Sequence, residues 1–413
     1  MNSVITALLL PLVLASPLKP RQEDERPTLN TGCEPGDLTP ENWRTNAIDA
    51  TISGTFGFGQ VLSPAEYPRL FLQDDNPRLD FQCSDLNNPD KCTIPTNFIF
   101  VGESNDFSGT VCGAFHNPQL GFIGQAWVNL YTHLRNINNA VQPAVDSILN
   151  SNFIDDLVTK STAEPLPIPK EVLFKLAELS LVFVPAPIGP ELAAFRTIVP
   201  RFKKLAGKLL KNARNEQAEQ DENIANQPQI LKGLLGSVPA WVQENMKEQN
   251  DDIFLNTHSD NTIGDMLKDG AGLSTPTSQE DYEKAISRNL KVFALAQLWT
   301  KISMNLLLSS PDDFGQCISE PSTRVRDKCM QFKYRDGTTP VTLATGEHPR
   351  DAAGAIASTG LNFDTVANNA IDCQNAGKTF SDVDFDGFLT SDNDNDQAIP
   401  ACLFGVPVVG SLE

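Results

Sequence analysis

The chain has 413 residues and a formal net charge of −20. That length permits a substantial core and roughly two or three domains, while 40% hydrophobic and 20% charged residues exclude a disordered polyanion. A surface this negative repels phosphate backbones, so nucleic acid is excluded as a partner.

In chain order, Val4 to Ala15 form an apolar run too short to span a bilayer. With Val13 and Ala15 placed as small residues before Ser16, residues 1–15 read as a secretory signal peptide. Residues 16–32 read as a propeptide or linker, in which cleavage after Arg21 would leave Gln22 first.

Residues 33–115 are rich in Pro, Asn and Asp and hold Cys33, Cys83, Cys92 and Cys112. A second group, Cys317, Cys329, Cys373 and Cys402, falls within residues 311–413. The count of 8 is even, no Cys-x-x-Cys occurs, and no His stands at zinc-ligand spacing. Disulfides are therefore expected rather than metal, in an oxidising compartment. Cys83 with Cys92 and Cys317 with Cys329 are the shortest local pairings, and spacing leaves the rest open. Because no Asn-x-Ser/Thr acceptor exists, stabilisation outside a cell would fall to these bridges. Thr39-Pro40-Glu41 and Ser63-Pro64-Ala65-Glu66 each place a capping hydroxyl before a proline suited to the first helical position. Residues 97–102, NFIFVG, are the best strand candidate of this unit.

Residues 116–310 read as a helical bundle. From about Gly124, the residues Trp127, Leu130, Leu134, Ile137, Val141, Val145 and Ile148 recur at helical spacing, with a bend expected at Pro143. Two apolar helices flank PAPIGP at 185–190. Thr277-Ser278-Gln279-Glu280 is a capping box, opening a helix expected to run through Ile286, Leu290, Phe293, Leu298, Trp299, Ile302 and Leu306 to about Leu308. In residues 311–413 short segments replace long ones, and AGAIAS at 353–358 reads as a brief helix. The fold class expected is mainly α: a central helical bundle flanked by disulfide-stapled, loop-rich N- and C-terminal units.

Within the bundle, RFKKLAGKLLKNAR at 201–214 segregates completely on a helical wheel. Phe202, Leu205, Ala206, Leu209, Leu210 and Ala213 share one face, and Arg201, Lys203, Lys204, Lys208, Lys211 and Arg214 fill the other. The preceding LSLVFVPAPIGP (179–190) carries no charge. An apolar hairpin followed by a basic amphipathic helix suits a lipid-contacting segment, with cations at anionic headgroups and Phe202, Leu205 and Leu209 among acyl chains. It suits core packing equally, the cations then forming a solvated rim. The shortness of the run and its interruption by Pro185, Pro187 and Pro190 weigh towards that second reading. A covalent lipid anchor is not expected.

DVDFDGFLTSDNDND at 382–396 carries the most specific chemical pattern. Asp382, Asp384 and Asp386 alternate so that a tight loop can converge their carboxylates on one Ca²⁺, and Gly387 permits the turn. Phe388 would offer its carbonyl and Thr390 a water-mediated contact. This resembles an EF-hand loop until its last position, where Asn393 stands in place of the bidentate Glu; Asp392 and Asp394 flank it and could substitute. The expectation is a structural Ca²⁺ loop of modest affinity, Kd ~10⁻⁴–10⁻³ M, with a solvated acidic turn as the alternative.

The chain contains no Gly-x-Ser-x-Gly, His-Glu-x-x-His, phosphate-binding glycine loop or dinucleotide fingerprint, and only four histidines, His116, His133, His258 and His348. His133 reads as a helix-surface or satisfied core residue, and His348 as part of a helix opening. No catalytic residue is assigned.

CEPGDLTPENWRTNAIDATI, LSPAEY, DFQC at 80–83 and NLYTHLRNINNAVQPAVDSI together resemble a family of secreted filamentous-fungal proteins without an assigned activity. The resemblance spans roughly residues 33–210 and implies secretion, an N-terminal disulfide unit and a helical centre. The function expected is that of a non-enzymatic, effector- or toxin-like protein, extracellular or associated with the cell wall, which contacts a membrane surface or a host or competitor protein through 172–214. A polysaccharide-directed hydrolase using a carboxylate pair and a structural wall protein are the alternatives.

Overall fold

In a computed structural model of the chain, the residues described are 38–56, 83, 85–94, 118–161, single positions of a helical stretch between 236 and 254, 267–270, 272–273, 275–309, 322–325, 328–334, 348–383 and 399–410. Among them the chain is mainly helical. The expected features at Ser63–Glu66, 97–102 and 185–190 lie outside the described residues.

Helix α1 (Pro40–Thr45) opens as its capping sequence dictates: Thr39 Oγ1 accepts from the Asn42 N–H at 3.2 Å, and Pro40, which has no N–H to leave unpaired, follows directly. Helix α2 (Ile48–Phe56) begins after Ala47, which turns the chain at a φ of 52°. Trp43 is fully buried and donates from Nε1 to Asp49 Oδ1 at 2.9 Å. Asp49 also accepts from the Asp269 N–H, so one carboxylate fastens α1 and α2 to the turn at 268–270. The loop closed by the Cys83–Cys92 disulfide docks through its carbonyls. Asp85 O accepts from Tyr131 Oη at 2.7 Å and Cys83 O from Asn250 Nδ2 at 3.1 Å.

Helix α3 (Pro118–Leu149) has 32 residues, roughly 48 Å at 1.5 Å per residue. It starts earlier than its apolar periodicity suggests and passes through Pro143 without ending. All seven residues of the expected stripe, Trp127 to Ile148, are buried. Helix α4 (Phe153–Ser161) follows, and α5 (Gln279–Lys301) packs against both. The bonds Asn136 to Thr277, Ser147 to Ser287 and Trp299 to Ser161 advance together along the two segments, so α5 runs parallel to α3 and α4. Ser278, one residue after the expected cap, accepts from the Asp281 N–H at 3.1 Å and donates to the Asp281 carboxylate at 2.7 Å.

The end of α5 corrects the sequence reading. The helix stops at Lys301 rather than near Leu308, because Ser303 takes a φ of 52° and the Met304 N–H bonds back to Trp299 O at 2.9 Å. That six-to-one bond satisfies an end carbonyl and turns the chain out of the helix. Asn305–Ser309 then forms strand β1. With β2 (Ser322–Val325), β3 (Lys328–Lys333) and β4 (Val408–Val409) it builds a sheet of order β2-β3-β1-β4. Strand β3 is antiparallel to both β1 and β2, and β4 is parallel to β1. Leu306 pairs with Phe332 and Leu308 with Met330 on the face that joins the main core. Alternation puts the buried Leu307, Gln331 and Lys333 on the opposite face.

Helix α6 (Ala352–Ala357) is capped by Asp351 Oδ1, which accepts from the Gly354 N–H at 2.8 Å, and is joined to α4 by the Asp351 N–H to Lys160 O bond. Helix α7 (Phe363–Asn375) is capped by Asn362 Oδ1 on the Thr365 N–H at 2.7 Å. The centre of this end of the molecule is aromatic. Trp299 stands 4.6 Å from Phe332 and 5.9 Å from Phe404, centroid to centroid, and its Nε1 donates to Ser161 Oγ at 3.1 Å. No helix among the described residues is long and apolar enough to cross a membrane.

Candidate functional site

In the chain, the acidic segment follows α7 and precedes the residues that carry β4. Of the residues expected to meet an ion, Asp382 is described; Asp384, Asp386, Phe388, Thr390, Asp392 and Asp394 lie outside the described residues. Asp382 closes a short 3-10 turn, Phe380–Asp382. Its Oδ2 accepts from the Thr379 N–H at 2.8 Å and from Thr379 Oγ1 at 3.0 Å, and these bonds, the backbone one first, hold its carboxyl below the usual carboxylate range. The side chain is exposed, and Oδ2 is the oxygen engaged in this cap.

The base of the loop is closed by α7. Cys373 is joined to Cys402. Asn369 Nδ2 donates to Pro400 O at 2.9 Å while its Oδ1 accepts from the Phe404 N–H at 2.8 Å. Gln374 does the same for β4: Oε1 accepts from the Val408 N–H at 2.6 Å and Nε2 donates to Val408 O at 3.0 Å. A side-chain amide thus imitates a neighbouring strand and satisfies backbone groups that β1 does not reach. Gly405 allows the crossing of the two arms, since a Cβ there would lie 2.5 Å from the Phe380 nitrogen and 2.8 Å from the Thr379 carbonyl carbon. The described residues on either side of the acidic segment are therefore held to one another.

The contact residues read from sequence, Phe202, Lys203, Lys204, Leu205, Lys208 and Leu209, lie outside the described residues, as do Cys33, Cys112, Cys317, His116 and His258. Among the described cysteines, Cys83, Cys92, Cys329, Cys373 and Cys402 are all disulfide-bonded. His133 is buried between α3 and α5, where its Nδ1 meets Tyr282 Oη at 2.9 Å. Lys333 lies buried on the second face of the sheet, and burial pushes its ammonium down. The nearby His348 is exposed; partial burial and the Lys333 charge lower its imidazole. No group of three or more His, Cys, Asp or Glu side chains arranged to hold a metal occurs among the described residues.

Sequence reasoning missed Asn369, Gln374 and Gly405, the residues that shape the loop base. The interruption of the α7 apolar stripe by uncharged amides is the signal that could have suggested the first two. The described residues define a helix-dominated, disulfide-containing chain. No protein-family model, curated protein or solved structure matches the chain.

Proposed function

We propose that this is a secreted, non-enzymatic protein in which a central helical bundle carries disulfide-stapled terminal units, and that residues 172–214 make its contact with a membrane surface or a host or competitor protein. The observation that carries the reading is the set of buried, bonded cysteines, Cys83 with Cys92 and Cys373 with Cys402, which persist in an oxidising compartment and are rare in a reducing one. The segregated cations of 201–214 support the contact element, because they suit anionic headgroups while Phe202, Leu205 and Leu209 suit acyl chains. The resemblance to secreted filamentous-fungal proteins points the same way. Purified protein is expected to release dye from vesicles rich in anionic lipid, and reversal of Lys203, Lys204 and Lys208 to Glu to reduce release at least ~10-fold, with the reversal weakening attraction by roughly 1 kcal/mol per charge. Vesicles left intact by the native protein would reject the membrane reading; equal leakage by both proteins would reject the basic face.

The acidic loop is proposed to take Ca²⁺ through Asp382, Asp384, Asp386, Asp392 or Asp394, with the Phe388 carbonyl and Thr390, and to tie down the C-terminal unit. The closed base at Cys373–Cys402 and Gly405 supports this. At a Ca²⁺ concentration ~100 times Kd, binding stabilises the folded state by about 2.7 kcal/mol, a rise of roughly 3 °C in Tm for a chain of 413 residues. Scanning calorimetry with Ca²⁺ and with chelator measures it, and coincident melts would remove the assignment. Replacing Asp384 and Asp386 by Asn is expected to abolish the rise.

A further inference from the structure

The two most extensively packed helices meet at a histidine. His133 of α3 and Tyr282 of α5 are each 1% exposed. Their rings stand edge to face at 6.3 Å, with Nδ1 and Oη at 2.9 Å. Tyr282 is in the first turns of α5, four residues past the Ser278 cap. The bonds that fasten this end of α5 to α3 are neutral: Asn136 Nδ2 to Thr277 O at 2.8 Å, Gln279 Nε2 to Asn139 O at 3.5 Å, and Ser147 with Ser287 at 3.1 Å.

From this geometry we infer that His133 and Tyr282 form an acid-sensitive joint, which holds α3 against the start of α5 while the imidazole is neutral and loosens when it takes a proton.

Two physical effects act together. An imidazolium in this site loses its hydration, and burial alone pushes His133 from 6.5 down to about 4. The charge would also lie beside the positive end of the α5 dipole. Tyr282 cannot offset it by ionising, because burial pushes the phenol well above its ordinary range.

Among the described residues burial is the one cause of the imidazole's shift, and no charged neighbour contributes to it. On α5, Glu280, Asp281 and Lys284 are exposed, Glu280 paired with Lys284 at 2.7 Å and Asp281 with Ser278. Arg135 of α3 is two positions from His133 and acts on Tyr131. From the other helices packed on α3, Asp49 of α2 holds Trp43, and Asp156 of α4 faces Lys160.

The sign follows from the two protonation states. Unfolded or opened, the imidazole titrates near 6.5; closed, near 4. Stability from the joint is complete above the first value and is lost as pH falls between the two. At pH 4.5 the opening constant of the α3–α5 pair should exceed its value at pH 7 on the order of a hundredfold from this group alone.

Amide hydrogen exchange of α3 and α5 at the two pH values, in the native protein and in His133→Gln, tests this. The substitution keeps a neutral hydrogen-bonding group, and pH effects from the rest of the chain cancel between the proteins. The variant is expected to lose most of the hundredfold difference; a variant that keeps the full native difference overturns the joint. If the variant does not fold, titration of the 4 imidazoles of the native protein decides. The imidazole assigned to His133 by its proximity to the Tyr282 ring should remain neutral at pH 5. All four charged at that pH, with α3 and α5 still protected, would overturn it equally.

Discussion

Replacing Trp299 by Ala is expected to cost about 3–5 kcal/mol of folding stability, seen as a fall in Tm of roughly 3–6 °C for a chain of 413 residues. Trp299 is fully buried where α5, α4, the sheet and the segment leading to β4 converge, through Ser161, Phe332 and Phe404. Phe332 in turn lies 5.1 Å from Phe363 at the start of α7, so the cavity would open at the meeting point of four elements. Two other substitutions separate volume from hydrogen bonding. Ser161→Ala leaves Nε1 buried without its acceptor and should cost about 1–3 kcal/mol. Trp299→Phe keeps most of the apolar volume and should fall below the Ala variant. Urea denaturation measures all three, and a Trp299→Ala chain within ~1 kcal/mol of the native one would mean that this cluster does not hold the elements together.

The parts of the fold legible in the sequence are those governed by local chemistry. Thr39 before Pro40 caps α1 because a hydroxyl and a missing N–H solve the same end problem within one turn. The stripe from Trp127 to Ile148 marks α3 because helical spacing alone decides which side chains share a face. The stop of α5 was not legible: Leu306 continues the apolar pattern of the helix, yet Ser303 at positive φ diverts the chain and Leu306 enters the core from a strand. A short apolar run fits either period. Of the candidate site, the alternating Asp382, Asp384 and Asp386 were visible because ligand spacing is local. The clamp was not, since Asn369 and Gln374 act on backbone groups more than thirty positions away along the chain. Spacing likewise left open that Cys373 would choose Cys402, whereas Cys83 and Cys92 are close enough for a short loop.

Removing the Cys373–Cys402 bridge, by replacing both residues with Ala, is expected to cost about 3–4 kcal/mol from chain entropy for its separation of 29 residues. The Cys83–Cys92 bridge spans only 9 residues, and the same relation gives it about 2.6 kcal/mol. The C-terminal loss should also spread further. Cys402 holds a φ of 64°, a conformation that a non-glycine residue adopts at a cost, and the bridge and the Gly405 N–H to Cys402 O bond hold it there. Once it relaxes, the Asn369 and Gln374 amides lose the geometry that lets each bond two backbone groups, β4 leaves the edge of β1, and Phe404 withdraws from Trp299. Limited proteolysis should then cut within 399–410 while leaving α3 and α5 intact, and the rise in Tm proposed for Ca²⁺ binding should disappear with the closed base. Gln374→Ala, which keeps the bridge and removes two bonds, should release β4 at a smaller cost of about 1–3 kcal/mol. If the double Cys variant melts with the native protein and resists cleavage at 399–410, the clamp is not what holds this end of the chain. The opposite order of stability losses at the two bridges would show that loop entropy is outweighed there by structure persisting in the unfolded chain.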